Sequence, residues 1–185
     1  MVSVWRNKSI LYGLVTGMAG LITVSLGMSF NDRLFVQWNI LFFAFISLIS
    51  MALLARALLM EIDFMGFNEL LKPMMVLFIF SYLVYTVGFF FFEKYINPEV
   101  AGIKYEISKE QFESYQDQMD DEQREQAQKV INNRENFEPG FSLQGFLFSF
   151  ALFFAVIGLP ESILVAAIAN RGFHNEKKET IERDP

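Results

Sequence analysis

The chain has 185 residues, 53% of them hydrophobic, and a formal net charge of −6 at pH 7. The absence of cysteine from the sequence excludes disulfide bonds, iron–sulfur ligation and thiol catalysis. The mean hydropathy of +0.31 averages two populations, because charged residues are nearly missing from four long blocks and crowded into the rest of the chain. The length suits a single domain, residues 1–185.

Four apolar blocks predict four transmembrane helices. The predicted spans cover residues 10–30, 34–60, 74–92 and 143–169. The first and third contain no charged residue, the second contains only Arg56 and the fourth only Glu161. None shows the polar stripe at a spacing of 3.6 residues that marks a helix on a soluble protein, and about 20 residues suffice to cross a hydrocarbon core. The sequence therefore predicts an all-α polytopic membrane protein, built as a four-helix bundle.

The first block also has features of a secretory signal peptide, because Arg6 and Lys8 precede an apolar run. The run is longer than a signal core, and Ser25-Leu-Gly-Met28 is a poor cleavage site. We therefore expect the block to be retained as a span. Its Gly13-Leu-Val-Thr-Gly17 motif predicts close packing against another helix of the same chain, while the oligomeric state stays open.

The distribution of lysine and arginine predicts that both termini are cytoplasmic. The basic residues expected on the inner side are Arg6, Lys8, Arg56, Lys72, Arg171, Lys177 and Lys178. The connection over residues 93–140 has twelve acidic and six basic residues, so we expect it as a loop on the opposite, extracytoplasmic face. Residues 170–185 form a cytoplasmic tail of mixed charge, which indicates no nucleic-acid binding.

A helix is predicted within the outer loop. Ser108-Lys-Glu-Gln111 matches a capping box, and strong helix formers follow up to about Asn133. Its apolar face begins with Phe112, Tyr115 and Met119. Two interpretations remain, a solvated helix lying over the bundle and a docking surface for a partner protein.

Glu161 is an acidic residue inside the fourth predicted span. It lies nine residues before Asn170, which corresponds to about 13 Å along a helix axis. An ionised side chain at such a depth costs roughly 2.5–3.5 kcal/mol. Pro160 removes a backbone hydrogen bond, so with Gly158 it predicts a helix kink.

The basic residue inside the second span offers Glu161 a partner. We predict an Arg56–Glu161 intramembrane ion pair, either direct or bridged by water. In the alternative, Arg56 extends to the inner headgroups while Glu161 reaches the same interface around the kink.

Enzyme signatures are missing from the sequence. His174 is the single histidine, and no second histidine, nucleophile pairing or glycine-rich phosphate loop accompanies it. We therefore expect no catalytic residue, no metal and no cofactor.

Three segments carry a resemblance to a known family. Ser9-Ile-Leu-Tyr-Gly-Leu-Val-Thr-Gly17 opens the chain, Phe64-Met-Gly-Phe-Asn-Glu-Leu-Leu-Lys72 precedes the third span, and Tyr95-Ile-Asn-Pro-Glu99 follows it. A charged helix then leads into a Phe-rich last span and a basic tail. In this order of features the chain resembles small bacterial inner-membrane proteins catalogued as a domain of unknown function, family 4199. The resemblance implies a four-helix protein of a Gram-negative inner membrane with a periplasmic loop, and it implies no activity.

These observations predict a non-enzymatic integral inner-membrane protein. We expect an accessory, scaffold or assembly subunit of an envelope complex, which contacts the lipid bilayer and another membrane or periplasmic protein. The alternative is a small transporter or ion-translocating protein that uses Glu161.

Overall fold

The computed structural model describes residues 2–61, 65–140 and 142–183, with side chains described between residues 5 and 171 of these ranges. The chain forms six α-helices there and no strand, which confirms the all-α prediction. The helices are α1 (Val2–Glu61), α2 (Phe67–Phe91), α3 (Val100–Tyr115), α4 (Asp121–Asn132), α5 (Leu143–Phe153) and α6 (Leu159–Arg183). π-Helical turns at Phe92–Ile96 and Phe154–Gly158 extend α2 and join α5 to α6.

Helix α1 is interrupted at Asn31. The φ and ψ angles of this residue, −157° and 90°, lie outside the helical region. The Asn31 side-chain oxygen accepts a hydrogen bond of 2.9 Å from the Leu34 N–H. A side chain that accepts in this way satisfies a free donor at the start of a helix, so Asn31 ends one arm of α1 and caps the next. The arms cover residues 2–30 and 32–61.

The two arms of α1 fold back on each other as a helical hairpin. Next to the reversal, the Gly27 backbone packs against the ring of Phe35. At the far end, the Lys8 ammonium forms an ion pair with the Glu61 carboxylate. Contacts at both ends show that the arms run antiparallel along their length.

Among the described residues, three helical segments are long and apolar enough to cross a membrane. They are Trp5–Glu61, Phe67–Ile96 and Leu143–Arg171. The spans predicted over residues 10–30 and 34–60 together lie in the first segment, on either side of the reversal at Asn31. This composition is compatible with a multi-pass membrane protein.

Glycines bring the first arm of α1 close to α2. A Cβ atom on Gly13 would lie 2.7 Å from the Leu77 carbonyl oxygen, and one on Gly17 would lie 2.6 Å from the Ser81 carbonyl oxygen. These distances leave no room for a side chain, so the two backbones touch. The small-residue motif therefore packs within the chain, as the sequence predicts.

The single loop helix expected over residues 108–133 is instead two helices. Helix α3 begins earlier because Val100 and Ile107 are buried in the apolar core. Helix α4 has its own N-cap, since the Asp120 carboxylate accepts a 2.7 Å hydrogen bond from the Gln123 N–H. An acidic capping box thus starts a new helix where the sequence pattern shows continuous polar residues.

The last apolar segment packs unevenly on the bundle. Val165 and Ala166 of α6 are buried against the other helices, whereas α5 contributes no buried residue among those described. We call the end of the bundle that carries α3 and α4 the outer end. Helix α5 is therefore loosely attached at the outer half, and this arrangement leaves space beside α2.

Candidate functional site

Glu161 is the third residue of α6 and faces the second arm of α1. The Ser47 hydroxyl donates a hydrogen bond to the Glu161 carboxylate. Ser47 is completely buried, and Glu161 is partly buried. The neighbouring Ser162 hydroxyl donates to the Gly158 carbonyl oxygen at 2.6 Å, so it serves its own helix. A neutral serine is therefore the side chain that meets the acid.

The structure does not bring Arg56 and Glu161 together. Arg56 follows Ser47 by nine residues on the same arm, which places it about 13 Å further along the helix axis. Among the ion pairs formed by residues with described side chains, none joins Arg56 to Glu161. The water-bridged form of the pair stays a prediction.

Arg56 instead lines an apolar depression between α1 and α6. This α1–α6 groove has a volume of about 800 Å³, and Leu48, Ala52, Leu59, Leu164 and Ile168 contribute to its walls. The Arg56 side chain is exposed. The alternative in which the guanidinium extends to the inner headgroups stays a prediction.

The helix irregularity near Glu161 is a π-helical turn at Phe154–Gly158, which ends two residues before Pro160. Gly158 is buried, and a Cβ atom there would lie 2.5 Å from the ring of Phe78. Gly158 therefore allows close packing of the last segment on α2. The bend of the helix axis expected from Gly158 and Pro160 stays a prediction.

A cavity that the sequence did not indicate lies beside α2 at the outer half of the bundle. This α2–α5 cavity has a volume of about 540 Å³ and reaches from the second arm of α1 to α5. Its aromatic wall consists of Tyr82, Tyr85, Phe89, Phe90, Phe146 and Phe153. Rings of Tyr82 and Phe150 meet with centroids 5.6 Å apart, so bulky side chains keep α5 at a distance from α2.

An ion pair with a buried carboxylate forms the polar end of the α2–α5 cavity. Glu93, in the π-helical turn after α2, is 7% exposed and pairs with Lys104 of α3. The Lys104 ammonium also lies 5.5 Å from the centroid of the Phe89 ring. The Tyr85 hydroxyl is buried and has no hydrogen-bond partner among the described residues. Aromatic faces, one buried acid and a free phenol hydroxyl thus converge on the same space.

Sequence reasoning missed the α2–α5 cavity because its charged groups lie where the third predicted span gives way to the predicted outer loop. In the sequence, Glu93 and Lys104 resemble ordinary charged residues of a loop. Nothing in their spacing of eleven residues indicates that the Glu93 side chain is buried. The signal present in the sequence is the aromatic run over residues 89–92, which Glu93 follows directly.

The outer hairpin of α3 and α4 carries the residues predicted to face a partner. Phe112, Tyr115 and Met119 line an α3–α4 groove of about 530 Å³ together with Val130 and Ile131 of α4. Tyr115 is 55% and Val130 is 51% exposed. The predicted face therefore lies partly uncovered on the outer surface.

The part of the chain with described side chains contains no group of three or more histidine, cysteine or acidic residues that could hold a metal ion. The side chain of His174 lies outside that part.

In the part of the chain that the structure describes, fold and composition define an all-α protein with three apolar helical segments long enough to cross a membrane. The sequence profile of the family described as "Protein of unknown function (DUF4199)" matches residues 11–171, and the chain belongs to this family. The family resemblance drawn from the sequence is thereby confirmed. Neither the curated proteins nor the solved structures give a significant match.

Proposed function

We propose that the chain crosses the cytoplasmic membrane of a bacterium four times, with both termini in the cytoplasm. Support comes from the reversal of α1 at Asn31, which separates two antiparallel apolar arms. Each arm has about 30 residues and so a length of about 45 Å, enough for one crossing. The excess of lysine and arginine near the inner ends favours the stated orientation.

Thiol labelling tests this topology cleanly because the chain has no cysteine of its own. Single variants Asn7→Cys, Ser29→Cys and Gln126→Cys mark the three regions, and all three residues are exposed. In spheroplasts, an impermeant maleimide should label positions 29 and 126 but reach position 7 only after lysis. An unlabelled position 29 with a labelled position 126 would contradict two crossings by α1.

We further propose a non-enzymatic accessory or scaffold role, in which the α3–α4 groove docks a partner protein. The observation that carries this proposal is the exposure of Tyr115 and Val130 on a groove between two outer helices. Exposed apolar residues arranged around a groove are typical of protein contact sites.

The negative charge of the outer loop, residues 93–140, favours a partner with positive charge. Residues 93–140 carry twelve acidic and six basic residues. Their net charge of −6 is as large as that of the whole chain. Opposite charge across an interface speeds association and favours the correct partner. The proposed occupant is therefore a protein segment that presents apolar side chains flanked by lysine and arginine.

A photo-crosslinking amino acid at position 115 tests the docking proposal in whole cells. We expect one dominant adduct whose crosslinked peptide is apolar and basic, and we expect Val130→Glu to abolish it. Gln118→Glu, a change at another exposed residue of the same hairpin, serves as the control and should leave the adduct intact. Adducts formed only with lipid, or insensitive to Val130→Glu, would contradict a protein partner.

The second candidate function is ion translocation through Glu161. The observation in its favour is the carboxylate held by Ser47 at the interface of α1 and α6. Neither the α2–α5 cavity nor the α1–α6 groove is lined by Glu161, so this candidate has less support. In proteoliposomes, a proton or cation flux abolished by Glu161→Gln would favour translocation over the scaffold role.

A further inference from the structure

We propose that the α2–α5 cavity binds an organic ammonium group, which rests among aromatic rings beside Glu93. This site is independent of partner docking at the α3–α4 groove.

The aromatic wall favours a cation. The faces of aromatic rings are electron-rich and attract ammonium groups within about 6 Å of the ring centre. Tyr85 and Phe89 lie nearly parallel, with centroids 5.8 Å apart and an interplanar angle of 10°. Tyr82 and Phe146 extend the wall towards α5, where their centroids are 6.1 Å apart. The lining thus brings several aromatic rings within reach of one substituted ammonium ion.

The formal charges of the cavity also favour a cation. Its ionisable lining comprises the carboxylates of Glu93 and Glu138, the ammonium of Lys104 and two tyrosines. With neutral tyrosines, two negative charges face one positive charge, so the lining is net negative. An anion would meet two carboxylates, whereas a cation would gain from both.

Lys104 already displays the proposed contacts. Its ammonium pairs with Glu93 and lies over the Phe89 ring, which are the two contacts expected for a ligand cation. The Lys104 side chain is 34% exposed, so it enters the cavity from the rim and has solvent to which it can withdraw. Glu93, at 9% side-chain exposure, has no such freedom. The lysine therefore acts as an internal cation that a ligand can displace.

Tyr85 offers a further polar contact. Its hydroxyl is buried without a hydrogen-bond partner among the described residues. Leaving such a group unpaired is costly, and a ligand or a water molecule can satisfy it. A ligand with a hydroxyl or ester oxygen near its ammonium group fits this position. The volume of about 540 Å³ is suited to a small molecule or a single headgroup.

The same ammonium chemistry has two sources, a free organic amine and the ethanolamine headgroup of a membrane phospholipid. Calorimetry on the full chain in detergent tests the shared chemistry, with choline as the probe. Its neutral isostere 3,3-dimethylbutan-1-ol and the anion benzoate are the controls for charge. We expect choline to bind at least tenfold more tightly than either control.

Nanodiscs distinguish the two sources. If choline binds as tightly in discs with phosphatidylethanolamine as in discs of phosphatidylglycerol alone, the site accepts a free amine. If phosphatidylethanolamine weakens choline binding severalfold, its headgroup occupies the site. Each outcome supports an ammonium site.

Two charge variants give the sharpest test because their expected effects have opposite signs. Glu93→Gln should weaken choline binding by about tenfold or more, since it removes the buried counter-charge. Lys104→Met should strengthen choline binding, because it removes the competing internal cation. The control is Glu106→Gln, at an exposed residue of α3 that does not line the cavity. It should leave choline binding unchanged.

A steric variant keeps the proposal testable if the charge variants fold poorly. Ser149 lines the cavity from α5, a helix without buried residues among those described. Ser149→Trp should fill the cavity and abolish choline binding while the helix content is unchanged. Equal binding of choline and its neutral isostere, preference for benzoate, or weaker choline binding by Lys104→Met would each overturn the proposal.

Discussion

The Ser47 hydroxyl donates a hydrogen bond to the Glu161 carboxylate across the interface between α1 and α6. These residues are 114 positions apart in the sequence, and each lies inside an apolar segment. The interaction gives the acid of this apolar segment a polar partner and links the last segment to the hairpin of α1. The contribution of this hydrogen bond to the stability of the protein can be measured directly.

Ser47→Ala should lower the stability of the purified protein by about 1–3 kcal/mol, because it leaves a partly buried carboxylate without its donor. Thermal unfolding in a mild detergent is the measurement. Ser50→Ala, one helical turn further on the same arm, is the matched control and should change stability little. Equal effects of the two substitutions would show that the hydrogen bond contributes nothing specific.

Arg56→Ala and Glu161→Ala should have additive effects on stability. Substitutions more than about 7–10 Å apart without shared partners usually combine additively, and Arg56 lies nine residues beyond the serine that holds Glu161. The measurement is a double-mutant cycle, in which the melting temperatures of the two single variants and the double variant are compared with that of the unsubstituted protein. A coupling energy of about 1 kcal/mol or more would instead support the water-bridged pair predicted from the sequence.

Gly17→Ala should destabilise the bundle by about 1–3 kcal/mol, since the added methyl group would overlap the Ser81 carbonyl oxygen. Gly145→Ala is the control, because there the nearest atom beyond the local backbone, Cβ of Ser142, is 3.7 Å away. Its helix should be unaffected or slightly stabilised. Comparable losses at both positions would exclude close helix contact as the cause.

Asp120→Ala should loosen the start of α4. The substitution removes the side chain that accepts a hydrogen bond from the Gln123 N–H, at a cost of about 1 kcal/mol. Hydrogen exchange should become faster at the first turn of α4 and stay the same in α3. Asp117→Ala, an exposed acidic residue before the cap, is expected to leave the exchange rates unchanged.

Much of the architecture follows from the sequence. Charge-free stretches of about 20 residues have to be helical in lipid, because only a helix satisfies their backbone groups internally. The apolar segments and the polar break around Asn31 are therefore readable without coordinates. The Gly13–Gly17 motif likewise indicates close packing, and it is realised against α2.

The outer helices were predicted less well. Polar residues that favour a helix over residues 108–133 do not reveal where one helix ends and the next begins. The Asp120 cap decides that boundary, and the burial of Val100 extends α3 towards the long apolar segments. Local propensity is a weak guide where packing and capping act on the same segment.

The sequence by itself determined which segments are helical and apolar and that Glu161 needs a partner, since these properties depend on the chain's own composition. Only the tertiary structure decided which partner each charged group has, Ser47 for Glu161 and Lys104 for Glu93. The physical reason is that pairing depends on the rotation and register of each helix. Those are set by glycine contacts and aromatic rings at helix interfaces, so they emerge only when the helices pack together.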